Sequence, residues 1–233
     1  MTTYNDTIQK VKDLIYGDGS IIASHDIFTR VKKEVKEAQE DPTLSGIGIA
    51  QKARGLREKG AVELAKIIRA NKAAIDAELD VAEKSVRAVI SSPNPQPSAE
   101  QLREFTDKYG SLKTELLVFN NKRAAQQLLE FMEDIRDPYI AKIIVDDFAN
   151  TGVELNKHIT DPLRLRTSYE QIKATAETDA KTQARQNLDE IARLRAAQPV
   201  NSMVRLGAAP TLGEELTDKV LRDYESFLQV HGE

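Results

Sequence analysis

Two runs of apolar residues at heptad spacing, separated by three prolines, restrict this chain more than any other feature. Before the break, Ile75, Leu79, Ala82, Val86 and Val89 are spaced 4, 3, 4 and 3; after it, Leu102, Phe105, Tyr109, Leu112, Leu116 and Phe119 are spaced 3, 4, 3, 4 and 3. Such spacing lays one apolar seam along each of two helices. Between them Pro93, Pro95 and Pro97 forbid a continuous helix, because proline lacks the N–H that the helix ladder needs. Ser98 and Gln101 then have the spacing of a capping box, which starts the next helix. Two seams across a short polar joint at 91–98 predict an antiparallel, coiled-coil-like helical hairpin.

Composition extends the helical reading to the whole chain. Of 233 residues, 100 are Ala, Leu, Glu, Lys or Arg, while 11 glycines and 8 prolines are too few to turn the chain as often as an all-β fold requires. The expected fold class is all-α, an elongated multi-helix bundle with no sheet. The absence of Cys excludes disulfides, Cys-ligated zinc, iron–sulfur clusters and cysteine nucleophiles. No apolar run reaches bilayer length, and Met1-Thr2-Thr3-Tyr4-Asn5-Asp6 has no basic or apolar targeting character. A soluble protein of the producing cell's cytoplasm, with no membrane contact, is the expectation.

In chain order four blocks are expected. Residues 1–45 hold two short helices, marked by Ile8, Val11 and Ile15 and by Ile27, Val31 and Val35, with a turn at Gly17-Asp18-Gly19-Ser20. Residues 46–136 hold the hairpin, with Gly55 and Gly60 as weak points in its first helix and its second helix running through Leu128, Leu129 and Met132 to Ile135. Residues 137–197 hold two further helices, each opened by an Asp-Pro pair, Asp137-Pro138 and Asp161-Pro162. If unbroken, the second of these runs from Pro162 to Ala197. Residues 198–233 read as a loop to Pro210, then a capping box at Thr211 and Glu214 and one amphipathic helix through Leu216, Val220, Tyr224 and Phe227.

Gly46-Ile47-Gly48 lacks the Gly-Lys-Ser/Thr ending of a phosphate loop and has no strand before it. Glu154 and His158 share a helix face at i, i+4 but miss the Glu-x-x-His spacing of di-metal bundles. No catalytic residues, metal ligands or cofactors are therefore assigned. Glu130, Glu133, Asp134 and Asp137, at i, i+3, i+4 and i+7, predict an acidic stripe, either a solvated face or a docking face for a basic partner. From Lys52 to Lys72, seven bases stand against Glu58 and Glu63, a local charge of +5, with Lys52, Lys59 and Lys66 in one i+7 row beside Arg69 and Lys72. That basic patch would meet nucleic acid or a protein face, although no aromatic is interleaved for base stacking. The window from Glu130 to Glu154 carries −5, so the two regions would attract in head-to-tail self-association or neutralise each other within one bundle.

A Cys-free, Trp-free, acidic helical chain with heptad seams at 75–89 and 102–119 and a joint at Pro93, Pro95 and Pro97 resembles the helical virion-structural or assembly proteins of tailed bacteriophages. The resemblance implies a non-catalytic structural protein, an oligomer or a component of a larger complex, working through protein–protein contact in the cytoplasm or the virion. It departs from phage scaffolding proteins at the C-terminus: Glu214, Glu215, Asp218, Asp223 and Glu225 outnumber Lys219 and Arg222, where a scaffolding protein carries a basic helix-turn-helix. The alternatives are a nucleic-acid-associated helical module using 52–72, and a helical ligand-binding protein or enzyme whose site is assembled from distant residues.

Overall fold

Ile8, Val11 and Ile15 are buried together on one helix face, and Ile27, Val31 and Val35 on the next, so the first two helices form where their apolar spacing puts them. The computed structural model describes residues 4–232; Met1, Thr2 and Thr3, part of the stretch read above for a targeting segment, and Glu233 lie outside the described residues. The chain is all-α, and among the described residues every regular element is a helix. In order these are α1 (Tyr4–Tyr16), α2 (Gly19–Glu40), α3 (Gly46–Ser91), α4 (Ala99–Phe119), α5 (Lys122–Glu133), α6 (Pro138–Asn156), α7 (Pro162–Ala176), α8 (Asp179–Ala196), α9 (Met203–Leu212), α10 (Glu214–Arg222) and α11 (Tyr224–His231).

Two compact units result. The first combines the residues up to Val86 with those from Asn187 onward, and the second is Arg87–Gln186. Loops fall at or beside the expected block boundaries, whereas the units divide inside α3 and α8. The buried part of each heptad seam lies within one unit, while Val89 and Phe119 at the seam ends are exposed. Ile75, Leu79, Ala82 and Val86 belong to the first, and Phe105, Tyr109 and Leu116 join a core with α5, α6 and α7 in the second.

In the first unit, α2 is the element around which the others pack. Its Ile27, Phe28, Val31 and Val35 share a core with Leu64 and Ile68 of α3, Val204, Ala208 and Leu212 of α9, Val220 of α10 and Phe227 of α11. The approach is close at two glycines. A Cβ on Gly60 would lie 2.6 Å from Val31 Cγ2 and 3.1 Å from Leu212 Cδ2, and one on Gly207 would lie 2.9 Å from the Phe28 ring. Gly55 and Gly60 are therefore not breaks, because α3 runs straight through both.

Farther along the same unit, α1, α3 and α8 are tied by polar groups. Tyr4 donates to Glu190 at 3.1 Å, Lys12 pairs with Glu190 at 2.8 Å, and Arg195 bridges Asp80 at 2.7 Å and Glu83 at 3.1 Å. Asn71 donates to the carbonyls of Leu14 and Pro199. Asn201 donates to the Tyr16 carbonyl and accepts from the Met203 N–H at 2.9 Å, which fixes the strap before α9.

Several boundaries differ from the expectation, each for a local reason. The helix after the joint stops at Phe119, because Asn120 adopts a left-handed conformation at φ 45° and Asn121 caps α5 through Ala124 N. The segment from Pro162 breaks at Glu177 and Thr178, where the Thr178 hydroxyl accepts from Lys181 N at 3.3 Å. Residues 203–212 are helical despite Pro210, since burying Val204, Ala208 and Leu212 outweighs the missing hydrogen bond in the last turn. Thr211 is no cap: its hydroxyl donates to the Gly207 carbonyl, and Gly213 at φ 96° turns the chain into α10. Asp223 splits the final helix and caps α11 through Ser226 N at 3.0 Å.

The Ser98–Gln101 capping box and both Asp-Pro starts form as expected. The Pro-rich joint is pinned. Asn94 is buried and donates to the carbonyls of Pro138 at 2.9 Å and Ala176 at 2.8 Å, holding the joint to the start of α6 and the end of α7. Asn94→Ala removes both of these buried hydrogen bonds and is expected to lower stability by about 1–3 kcal/mol in chemical denaturation.

Gly60→Ala offers a second test. The added methyl meets Val31, whose β-branched side chain is buried and stiff, so stability falls by about 1–3 kcal/mol. Gly55→Ala meets nothing within 4 Å and is expected to gain up to ~1 kcal/mol from helix propensity. Paired thermal melts check both, and equal shifts would refute the close approach.

Candidate functional site

Tyr109 and Lys113 are four residues apart on α4, and Asp147 and Thr151 are four apart on α6, so each pair presents neighbouring side chains to the other helix. They meet on one atom. Asp147 Oδ2 accepts from Lys113 Nζ at 2.6 Å, Thr151 Oγ1 at 2.8 Å and Tyr109 OH at 2.9 Å. Lys113 also lies 5.3 Å from the Tyr109 ring centre, and that ring stacks on Phe105 at 5.2 Å.

This arrangement fixes the protonation states. Burial acts on Asp147 most strongly and would raise its pKa, but the hydrogen bonds from Lys113, Thr151, Tyr109 and Asn150 together lower it from 3.8 to about 2. Burial pushes the Tyr109 phenol upward, the bond to Thr151 opposes that, and the hydrogen bond and charge of Asp147 add to it. A carboxylate held this low is a poor base, and a phenol raised this way is a poor acid at neutral pH. The cluster is a tie between α4 and α6.

Beside it lies an open cleft of about 450 Å³, walled by Lys113, Leu116 and Leu117 of α4 and Ala149, Asn150, Thr151, Val153 and Glu154 of α6. The last turn of α4 projects from its rim. Leu117, Val118 and Phe119 are 63%, 68% and 63% exposed, and Val153 across the cleft is 60% exposed. Directly after them, Lys122 and Arg123 open α5.

The acidic stripe does not form. α5 ends at Glu133, so the four carboxylates do not share a helix. Glu133 accepts from Ser168 of α7, Asp134 closes α5, and Asp137 caps α6 through the N–H groups of Tyr139 and Ile140 at 2.9 and 3.0 Å. The Pro138 ring disfavours helical backbone at Asp137, which is extended, and that breaks the spacing. Only Glu130 and Asp134 remain exposed.

The basic row does lie outward on α3. Lys52, Lys59, Lys66 and Arg69 are exposed, but Lys52 is 3.7 Å from Asp41, and Lys72 is taken by Asp76 at 2.6 Å and the Arg195 carbonyl at 3.2 Å. Glu154 and His158 are engaged separately, the first by Lys157 at 2.6 Å and the second with Asn120 Oδ1 at 2.7 Å. No helix among the described residues is long and apolar enough to cross a membrane.

Sequence reasoning missed the Asp147 cluster and the exposed tip. Tyr109 reads as a seam residue and Asp147 as one acid among seven; the available signal was two polar i, i+4 pairs beside apolar ridges on different helices. Comparisons with protein-family models, with curated proteins and with solved structures found no match to this chain.

The tie has a pH signature. Because Asp147 is depressed in the fold, its contribution is complete above about pH 4 and disappears as pH falls through about 2. Its shift corresponds to on the order of 2 kcal/mol. Asp147→Asn should lower stability by about that amount at pH 7 and flatten the stability profile between about pH 4 and pH 2, measured by urea unfolding.

Proposed function

We propose that this chain is a non-catalytic structural or assembly protein that acts through protein–protein contacts within a larger complex, as its resemblance to phage virion proteins implies. In this reading it works in the cytoplasm of the producing cell or in the virion. One observation carries the proposal: Leu117, Val118, Phe119 and Val153 stand exposed together at one end of the α4–α6 pair. Leu117 and Val153 line the cleft while Val118 and Phe119 follow at the end of α4, and exposed apolar groups gathered in this way mark an interaction surface.

The tie at Asp147 supports the same reading, because it braces both walls of the cleft through a carboxylate held low and a phenol pushed up in pKa. A second reading has its own observation. Lys59, Lys66 and Arg69 are exposed on α3 and, among the described residues, make no hydrogen bond or ion pair, which suits a nucleic-acid backbone.

The chain has no Cys, so a single introduced thiol carries a crosslinker to one position. With a photo-crosslinker on Val118→Cys in the producing cells, a discrete protein adduct is expected, and none from Lys33→Cys on the exposed face of α2. No adduct at 118, with nucleic acid attached at Lys66→Cys instead, would replace the first reading by the second.

A further inference from the structure

The exposed tip of α4 has a counterpart elsewhere on the chain. In the first unit, Leu14 of α1 and Ala74, Ala77 and Val81 of α3 line an open groove of about 670 Å³, rimmed by Lys10, Asp13 and Glu78. Val81 is a large apolar residue left mostly uncovered there.

The two features complement each other in apolar character and in charge. Leu117, Val118 and Phe119 are consecutive, so they spread over ~200° of the helix and form a projecting knob rather than one packing face. Lys122 and Arg123 follow at the N-terminus of α5, where the helix dipole disfavours cations. Among the described residues neither makes a hydrogen bond or ion pair. At the groove, the Asp13 carboxylate accepts from the Gln9 amide at 2.8 Å and meets no cation among the described residues, and Glu78 is 3.8 Å from Lys10, so the rim keeps one surplus negative charge. An apolar knob with two unsatisfied cations fits an apolar groove with a negative rim.

The geometry points to head-to-tail self-association: the Leu117–Phe119 knob of one copy enters the α1–α3 groove of a second, with Lys122 and Arg123 against Asp13 and Glu78. Knob and groove are different surfaces, so the contact is heterologous: the copy that inserts its knob keeps a free groove, and the copy that receives it keeps a free knob. The product is a ring if the rotation closes and a filament if it does not. This rests on the protein-contact reading above and names the partner as the chain itself.

The test uses the full chain in sedimentation velocity and light scattering across concentration and salt. Wild type is expected to grow in mass with concentration and to weaken as salt rises. Val118→Asp, on an exposed side chain, blocks the knob, and Ala77→Arg fills the groove; each should raise the dissociation constant roughly tenfold or more.

Mixed together, these two variants should form a dimer and stop, because only one intact knob and one intact groove remain. Lys122→Glu with Arg123→Glu should weaken association, and the same chain carrying Asp13→Lys and Glu78→Lys should regain it. A wild type that stays monomeric at every concentration overturns the inference, as does growth that Ala77→Arg leaves unchanged. If Val118→Cys nevertheless crosslinks a protein of another mass, the protein-contact reading survives and self-association falls.

Discussion

Gly60 and Gly207 bring α3 and α9 against α2 more closely than any side chain at those positions would allow. The first unit depends on that contact, because α9, α10 and α11 are short and reach the core only by following α9 onto α2. Helices of eight to ten residues are marginal alone, so their stability comes from the apolar faces they bury. Val204, Ala208, Leu212, Val220 and Phe227 supply those faces, and Asn201 and Asn71 hold the preceding strap in place. Pro210 is tolerated within a helix for the same reason.

The second unit solves a different problem. Its α4 and α6 run side by side in the same direction, as the partner pairs Tyr109 with Thr151 and Asn120 with His158 show. Parallel neighbours cannot be joined by a tight turn, and α5 carries the chain back between them. A single carboxylate, Asp147, gathers donors from both helices at that junction, so the cleft walls are braced by an ionised group rather than by apolar packing alone. That leaves the apolar side chains of the α4 tip outside the core.

What could be read from the sequence was largely where helices begin. Asp137, Asp161 and Ser98 act as caps because their side-chain oxygens accept from first-turn N–H groups that no helical carbonyl reaches. Where helices end was harder: Asn120, Thr178 and Asp223 stop helices inside runs whose apolar periodicity continues unchanged. The acidic stripe failed for that reason, since a spacing argument assumes one helix and Glu133 and Asp137 belong to two. The basic row survived because α3 is unbroken through Lys52, Lys59 and Lys66. The Asp147 cluster depends on which helices become neighbours, and the discontinuous make-up of the first unit depends on the same thing; neither leaves a local pattern.

The division of the chain also orders events during synthesis. Residues 87–186 are contiguous, so the second unit has all its parts once Gln186 leaves the ribosome. The first unit does not: α2 and α3 display Ile27, Phe28, Val31, Leu64 and Ile68 for a further 40 or so residues of translation before Leu212, Val220 and Phe227 arrive to cover them. The half of the molecule made first is completed last, and during that interval its uncovered α2–α3 surface is the part of the nascent chain in greatest need of a chaperone.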